Sequence, residues 1–396
     1  MADLKEIYEH VFGLEYEQGF KSYDIYDGSG LKIPGLRQLK SVRMASTYFN
    51  KFSPLNFRKL LGIKKRKYPH AIACMVNAYY NCPVSNIPEK FIQEQVEWLI
   101  SISLIQKYGY HCWNGLGIYI DMKGEGIKPE VPGLIGTLAV TRALAAYYIK
   151  TGDSRIPEIL RSVREDLTVN YFKQYNSISF FRYKPTTHPW VFTINASAKG
   201  AALVCHINQV LGEETGLDIA SKAVKSIFEV QEKDGRWKYT IDLKYGKNKE
   251  QIDFHQAYII KALLDILDSG NLDISLKNTI KRGLEYQNNF QLETSGALYY
   301  RYPKRYPYNI HNQLYAYYVN RICGFFNSGY IEKADLILNW TLKYLYNPNL
   351  GFVYGKYPGL KIKIPYARWG NSHALYLFSL ILKRSSIEKK GNMIYD

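Results

Sequence analysis

Residues 133–172 read GLIGTLAVTRALAAYYIKTGDSRIPEILRSVREDLTVNYF. From Leu134 to Ile149 the pattern is helical and apolar nearly all round, broken by Arg142. Such a helix belongs inside a larger core. TGDSRIP follows; Gly, Asp and Ser tolerate turn dihedrals and cap helices. A second, less apolar helical pattern runs from 155 to 170. A loop this short makes the two helices antiparallel neighbours. The unit is therefore an α-hairpin with its inner helix first.

The unit recurs along the chain. Apolar helical patterns begin near His70, Gly133, Asn195, Asp253, Asn309 and Gly370, at intervals of roughly 55 to 65 residues. The first five are each followed by a partner, near 89–107, 155–170, 215–232, 274–290 and 330–346. GEETG, DSGNLD and FNSGY make the other short turns. Between hairpins the connections are long and aromatic, as in YGYHCWNGLGIYID and ETSGALYYRYPKRY, and several have the alternation of small β-hairpins. The last inner helix, Gly370 to Lys383, has no partner downstream. Leu36 to Phe52 is the segment expected to supply it and close a ring. The fold class predicted is all-α, an (α/α)6 toroid with long loops and small β-hairpins at one end. Residues 1–60 form an N-terminal segment that partly closes the ring, 61–385 the toroid, and 386–396 a frayed tail.

Composition narrows the function. The 396 residues are 46% hydrophobic and 22% charged, which excludes a wholly disordered chain. Five irregularly spaced Cys without a CxxC exclude a disulfide-stapled miniprotein and fit a reduced, cytoplasmic chain. No signal peptide and no transmembrane helix are expected. With 52 basic and 35 acidic residues the net charge is +17, which favours anionic partners: nucleic acid, acidic lipid or acidic glycan. The 36 Tyr offer flat faces with a polar edge, suited to sugars and bases. Basic residues are dispersed, and KKRK at 64–67 reads as a solvated turn, so nucleic acid is not the expected partner. No GxxxxGK[ST], GxGxxG before a helix, or GxSxG occurs, and no cofactor is expected.

If the first helices of the hairpins form the inner ring, their N-termini and the long loops share one end. His70, His255, His311 and His373 all fall at the start of an inner helix. Either they cap and fill a core layer, or they line a pocket for acid–base work. Asp253-Phe-His255 is the sharpest pair, with a carboxylate two residues before an imidazole at a helix start. In QEKDGRWKY (231–239), Gly235 permits a tight turn and the element is expected to fasten one hairpin to the next, with Asp234 and Trp237 as candidates on the pocket side. YARWGNSH (366–373) brings Arg368 and His373 together, and a guanidinium there suits a carboxylate or sulfate. Cys205-His206, His111-Cys112, Cys323, Asp253, His255 and His311 include zinc-ligand types, but Cys205, His206 and Cys323 lie well into their helices, so no metal is expected.

The hairpin spacing, with CWNG (112–115), NASAKGAAL (195–203), QEKDGRWKY, DFHQAY (253–258) and RWGNSHALYLFSLIL (368–382), resembles the α/α-toroid proteins of surface-polysaccharide gene clusters. These are similar to the C-terminal domain of D-glucuronyl C5-epimerases and to the six-hairpin glycosidase and polysaccharide-lyase superfamily. The resemblance covers roughly residues 60–385. It implies an enzyme acting on an acidic, uronate-containing polysaccharide or its precursor, by proton abstraction at C5 with epimerase or lyase outcome. His255 is the expected base or acid, oriented by Asp253, and Tyr258, Tyr308 or Tyr354 the opposing proton carrier. Arg368 is expected to hold the substrate carboxylate and Trp113 or Trp237 to stack. His311, His373, Asp234 and Asn195 complete the substrate contacts. The alternatives are a glycoside hydrolase using Asp234 or Asp253, and a non-catalytic glycan-binding or assembly protein. A peripheral contact with a membrane surface is compatible with the charge.

Overall fold

The computed structural model describes residues 4–388 except 34, 36, 37, 115–118, 121–125, 128, 129, 251, 273, 274 and 325. Two helices come first, α1 (Leu4–Glu17) and α2 (Lys40–Phe52). Then follow α3 (Pro69–Asn81), α4 (Glu89–Ser101), the single turn α5 (Ile105–Tyr108), α6 (Leu134–Thr151) and α7 (Ile156–Asp166). The chain continues through α8 (Ile194–Leu211), α9 (Leu217–Glu229), α10 (His255–Ser269) and α11 (Lys277–Tyr286). It ends with α12 (Ile310–Cys323), α13 (Gly329–Leu345) and α14 (Asn371–Glu388).

Helices α3, α6, α8, α10, α12 and α14 pack each on the next, and α14 packs back on α3, which closes an inner ring. Their sequences explain the position. In α8, thirteen of eighteen residues are buried, small Ala, Ser and Gly among them, so neighbours approach from both sides. The outer helices α4, α7, α9, α11 and α13 each lie on the inner helix before them and bury one apolar stripe, such as Ile156, Ile159, Leu160 and Val163 of α7. Inside a hairpin the turn is tight: α6 stops at Gly152, whose φ of 72° is the left-handed conformation a glycine adopts without strain. The fold is the (α/α)6 toroid.

The sixth outer helix is α1, which packs on α14. Leu36–Phe52 does not take that place; its helix α2 lies instead on the turn Asp27–Gly30. Both segments are amphipathic, and the difference is which face is apolar and buried. α1 turns Ile7, Tyr8, Val11 and Phe12 into the core. α2 buries Thr47, Asn50 and Lys51. α14 extends to Glu388, so residues 386–388 of the expected tail are helical, and 389–396 lie outside the described residues.

Small antiparallel sheets occupy the connections between hairpins. One joins Val191–Thr193, Thr240–Asp242 and Asn248–Lys249, and another joins Tyr308–Asn309, Gly355–Tyr357 and Leu360–Ile362. Among the described residues no helix is long and apolar enough to cross a membrane.

Candidate active site

All six inner helices send first-turn residues into one cavity of about 360 Å³. His70, Gly133 with Ile135, Asn195, His255 with Tyr258, His311 and His373 contribute from α3, α6, α8, α10, α12 and α14 in turn. The loops add Tyr183, Tyr239, Phe254 and Trp369 as aromatic wall. They also add Lys184, Lys249, Arg301 and Arg368 as cations. No carboxylate lines this cavity among the described residues. Asp24 and Asp253 stand behind Arg368 and Arg301, so the anion-seeking field at the mouth comes chiefly from Lys184, Lys249 and the six helix N-termini. A volume of this size holds a sugar or a disaccharide.

Asp253 precedes α10 and is almost fully buried. Its Oδ1 accepts from the backbone N–H of His255 at 3.1 Å and pairs with the Nδ1 of the same imidazole. The backbone bond makes a side-chain turn leading into the helix and the ring bond fixes the tautomer, which leaves Nε2 of His255 without a hydrogen-bond partner among the described residues. The ring is wedged between Tyr239 (centroids 4.5 Å apart) and Phe254 (4.3 Å). Asp253 Oδ2 lies 3.7 Å from Nε of Arg301.

A second hydrogen-bonded chain lies beside it on the same wall. The Tyr258 hydroxyl pairs with Nε2 of His311, and the rings of His255 and His311 lie 5.8 and 5.5 Å from that of Tyr258. His311 Nδ1 reaches the carbonyl of Trp369 at 3.2 Å, so Nδ1 carries the proton and Nε2 accepts from the phenol. His373 lies edge-on to His311 at 4.3 Å, and its Nδ1 is 3.0 Å from the Tyr315 hydroxyl. Burial pushes His70 down to about 3 and holds His311 and His373 well below the usual imidazole value, so these rings stay neutral. Burial likewise raises the Tyr258 phenol well above its ordinary value. Lys199 lies under this layer with its Nζ 3.2 Å from the Tyr258 ring centre. Burial, with Lys261 and Arg142 nearby, lowers its ammonium well below the ordinary value. Two cavity-wall atoms, Nδ1 of His70 and Oδ1 of Asn195, are buried without a hydrogen-bond partner among the described residues.

The structure thus brings together His255, Asp253, Tyr258, His311, His373, Asn195 and Arg368. Arg368 is not a free carboxylate fork, because Nε and Nη2 bind Asp24 at 2.7 and 2.8 Å. Five expected residues lie elsewhere. Tyr308 gives its hydroxyl to Glu293 at 2.9 Å and packs on Trp340. Tyr354 belongs to a separate apolar cluster with Tyr23, Ile362 and Tyr366. Trp113 is wholly buried, its Nε1 donating to the Leu99 carbonyl at 2.7 Å, so it anchors rather than stacks. Trp237 is also an anchor: Nε1 donates to the Ile227 carbonyl at 3.0 Å and the ring lies over Gly283. Asp234 sits on a surface turn and accepts from the Arg236 amide at 3.1 Å. Gly115, Asp121 and Glu125 lie outside the described residues. Tyr183, Tyr239, Lys249 and Arg301 are cavity residues the sequence reading passed over. Arg301 stands in the aromatic connection ETSGALYYRYPKRY, and Tyr239 closes the QEKDGRWKY element. No group of three or more His, Cys, Asp or Glu placed to hold a metal occurs among the described residues.

No protein-family model and no curated protein sequence matches this chain. Solved structures do. Cellobiose 2-epimerase from Bacillus thermoamylovorans superposes with a TM-score of 0.63 at 13% identity, over 81% of this chain and 90% of that one. A possible GH105-family member from Salmonella enterica gives 0.61 at 10% identity over 97% and 94%. The unsaturated glucuronyl hydrolase of Bacillus sp. GL1 gives 0.59 at 12% identity over 80% and 86%. At these identities the likeness is one of fold: the chain has the (α/α)6 toroid of the six-hairpin glycosidase-like enzymes.

Proposed function

We propose that the protein is a carbohydrate-active enzyme that moves a proton on an acidic sugar, as an epimerase or lyase of uronate residues. The observation that carries this reading is the His255–Asp253 pair at the wall of a cavity lined by four cations and, among the described residues, by no carboxylate. Hydrolysis of a glycosidic bond ordinarily needs two carboxylates facing across the scissile bond. Asp253 lies behind His255 and Asp234 lies outside the cavity, so the hydrolase alternative has no such pair among the described residues. The toroid neighbours include both a sugar epimerase and a hydrolase that acts on unsaturated glucuronyl groups, so the fold accommodates either substrate type.

In this mechanism Arg301, Lys249 and the remaining Nη1 of Arg368 neutralise the uronate carboxylate, which acidifies the proton on the adjacent C5. Nε2 of His255 takes that proton, and the buried Asp253 stabilises the imidazolium that forms. Return of a proton to the opposite face of the carbanion, from water or a group across the cavity, inverts C5, while Tyr258, edge-on to His255 and hydrogen-bonded to His311, braces the wall beside the base. If the C4 substituent leaves instead, a 4,5-double bond results. The unsatisfied Nδ1 of His70 and Oδ1 of Asn195 fit hydroxyl contacts to the same sugar.

The test is proton NMR in D₂O with a panel of uronate-containing and neutral glycans. Loss of the H5 signal marks epimerisation and new vinyl protons mark elimination; His255→Ala is expected to abolish either. New reducing ends without vinyl protons, or turnover unchanged in His255→Ala, would refute the reading.

A further inference from the structure

Residues 28–88 contain no Asp or Glu, yet hold eleven Lys or Arg between Lys32 and Lys67. This segment is also where α2 is turned inside out. Its polar residues Thr47, Asn50 and Lys51 face the protein, while Phe49 is 52% exposed and Leu39, just before the helix, 51%. The following loop adds Leu55 at 62% and Leu60 at 82% exposed, and the Phe57 ring lies 5.1 Å from that of Phe49. The inversion is built in by polar docking. Ser46 Oγ donates to the Gly28 carbonyl at 2.9 Å, and the Tyr366 hydroxyl donates to the Asn50 carbonyl at 3.0 Å. A Cβ on Gly28 would meet the α2 backbone at 2.6 Å, so only glycine lets the helix sit this close. Lys40, Lys59, Lys64 and Lys65 are exposed in the same segment.

We propose that this segment, with Leu39, Phe49, Leu55 and Leu60 exposed among lysines, docks on an anionic bilayer. The charge selects the occupant. A second copy in a two-fold dimer would set the acid-free segment against itself, and like charges would repel. An acidic glycan in solution would engage the lysines but give Phe49 and Leu60 nothing to bury against. A surface of anionic lipid does both, because apolar side chains enter the headgroup boundary while lysines meet the lipid charge. The site flanks the cavity mouth: α2 packs on Asp27–Gly30, and Lys51 Nζ stands 5.0 Å from the ring centre of Tyr26, a cavity residue. The inference is independent of the reaction proposed above.

The experiment is co-sedimentation of the full chain with vesicles of phosphatidylcholine alone and of phosphatidylcholine mixed with phosphatidylglycerol. Binding is expected to the mixed vesicles only and to fall with salt. The double variant Phe49→Asp, Leu60→Asp is expected to weaken it about tenfold or more. Ile149→Asp, at an exposed apolar site where α6 ends, is expected to leave it unchanged. All three positions are exposed, and matched melting curves check that the variants fold. Absence of binding to mixed vesicles would overturn the proposal. So would equal binding by the double variant, or a dimer in light scattering that the double variant dissociates.

Discussion

Glu15 of α1 is 3% exposed, and its Oε1 accepts from Asn371 Nδ2 at 2.7 Å. That bond ties the first helix of the chain to the first residue of the last. Burial raises the carboxyl to about 7, against the smaller lowering effects of the Asn371 bond and Lys65. A folded-state value above the unfolded one means that the stability is fully present below about 4.5 and is lost as the pH rises through about 7. A raise from 4.5 to about 7 corresponds to about 3 kcal/mol lost at pH 8, of which about 1 is already lost at pH 5. Glu15→Gln keeps the acceptor for Asn371 and removes the ionisation. Its new amide hydrogens add a cost, but one that does not vary with pH. The stability difference between variant and wild type is therefore expected to move by about 2–3 kcal/mol in the variant's favour between pH 5 and pH 8. Equilibrium urea unfolding of both proteins across that range reads it directly. A difference that stays flat with pH would show that Glu15 is not a buried, neutral acid, and would refute the account of how α1 is held.

Three further outcomes are expected. Asp253→Asn should lower kcat about 10²- to 10⁴-fold while the melting temperature moves little, because the amide cannot hold or stabilise the imidazolium; steady-state kinetics and calorimetry separate the two effects. Trp113→Phe should cost about 1–2 kcal/mol through loss of the bond to the Leu99 carbonyl, with KM unchanged, whereas a rise in KM would restore Trp113 to the substrate site. Gly235→Ala should cost more than about 2 kcal/mol, since φ is 95° and the new Cβ would fall 2.2 Å from the Arg282 carbonyl oxygen; a thermal melt within a degree or two of wild type would contradict that geometry.

The toroid was legible because hairpin patterning is local. The period, the more apolar member of each pair and the turn residues can all be read within about sixty residues. The phase of the histidines was legible for the same reason: His70, His255, His311 and His373 sit at equivalent points of the repeat, and all four line the cavity. What failed depended on distant partners. Arg368 looked like a substrate fork until Asp24, 344 positions away, took two of its nitrogens. Trp113, Trp237 and Tyr308 carry the right side chains for sugar contacts, but the acceptors that hold them, Leu99, Ile227 and Glu293, are fixed only by folding. The choice between α1 and α2 as the closing helix turned on which face is buried. Periodicity shows that a helix has two faces, and the location of the apolar one had to come from packing.

Ring closure also sets a schedule. Asp24 and His70 leave the ribosome about three hundred residues before Arg368 and His373, their partners in the finished molecule. Until then α3 exposes the flank that α14 will cover, and five-sixths of a barrel stands open. Hairpins can form one after another as they emerge, since each is local. The imidazole layer cannot, because its last member lies 23 positions from the final residue of the sequence. The cavity is therefore complete only when the circle is, and a nascent or truncated chain short of α14 is a scaffold without its pocket.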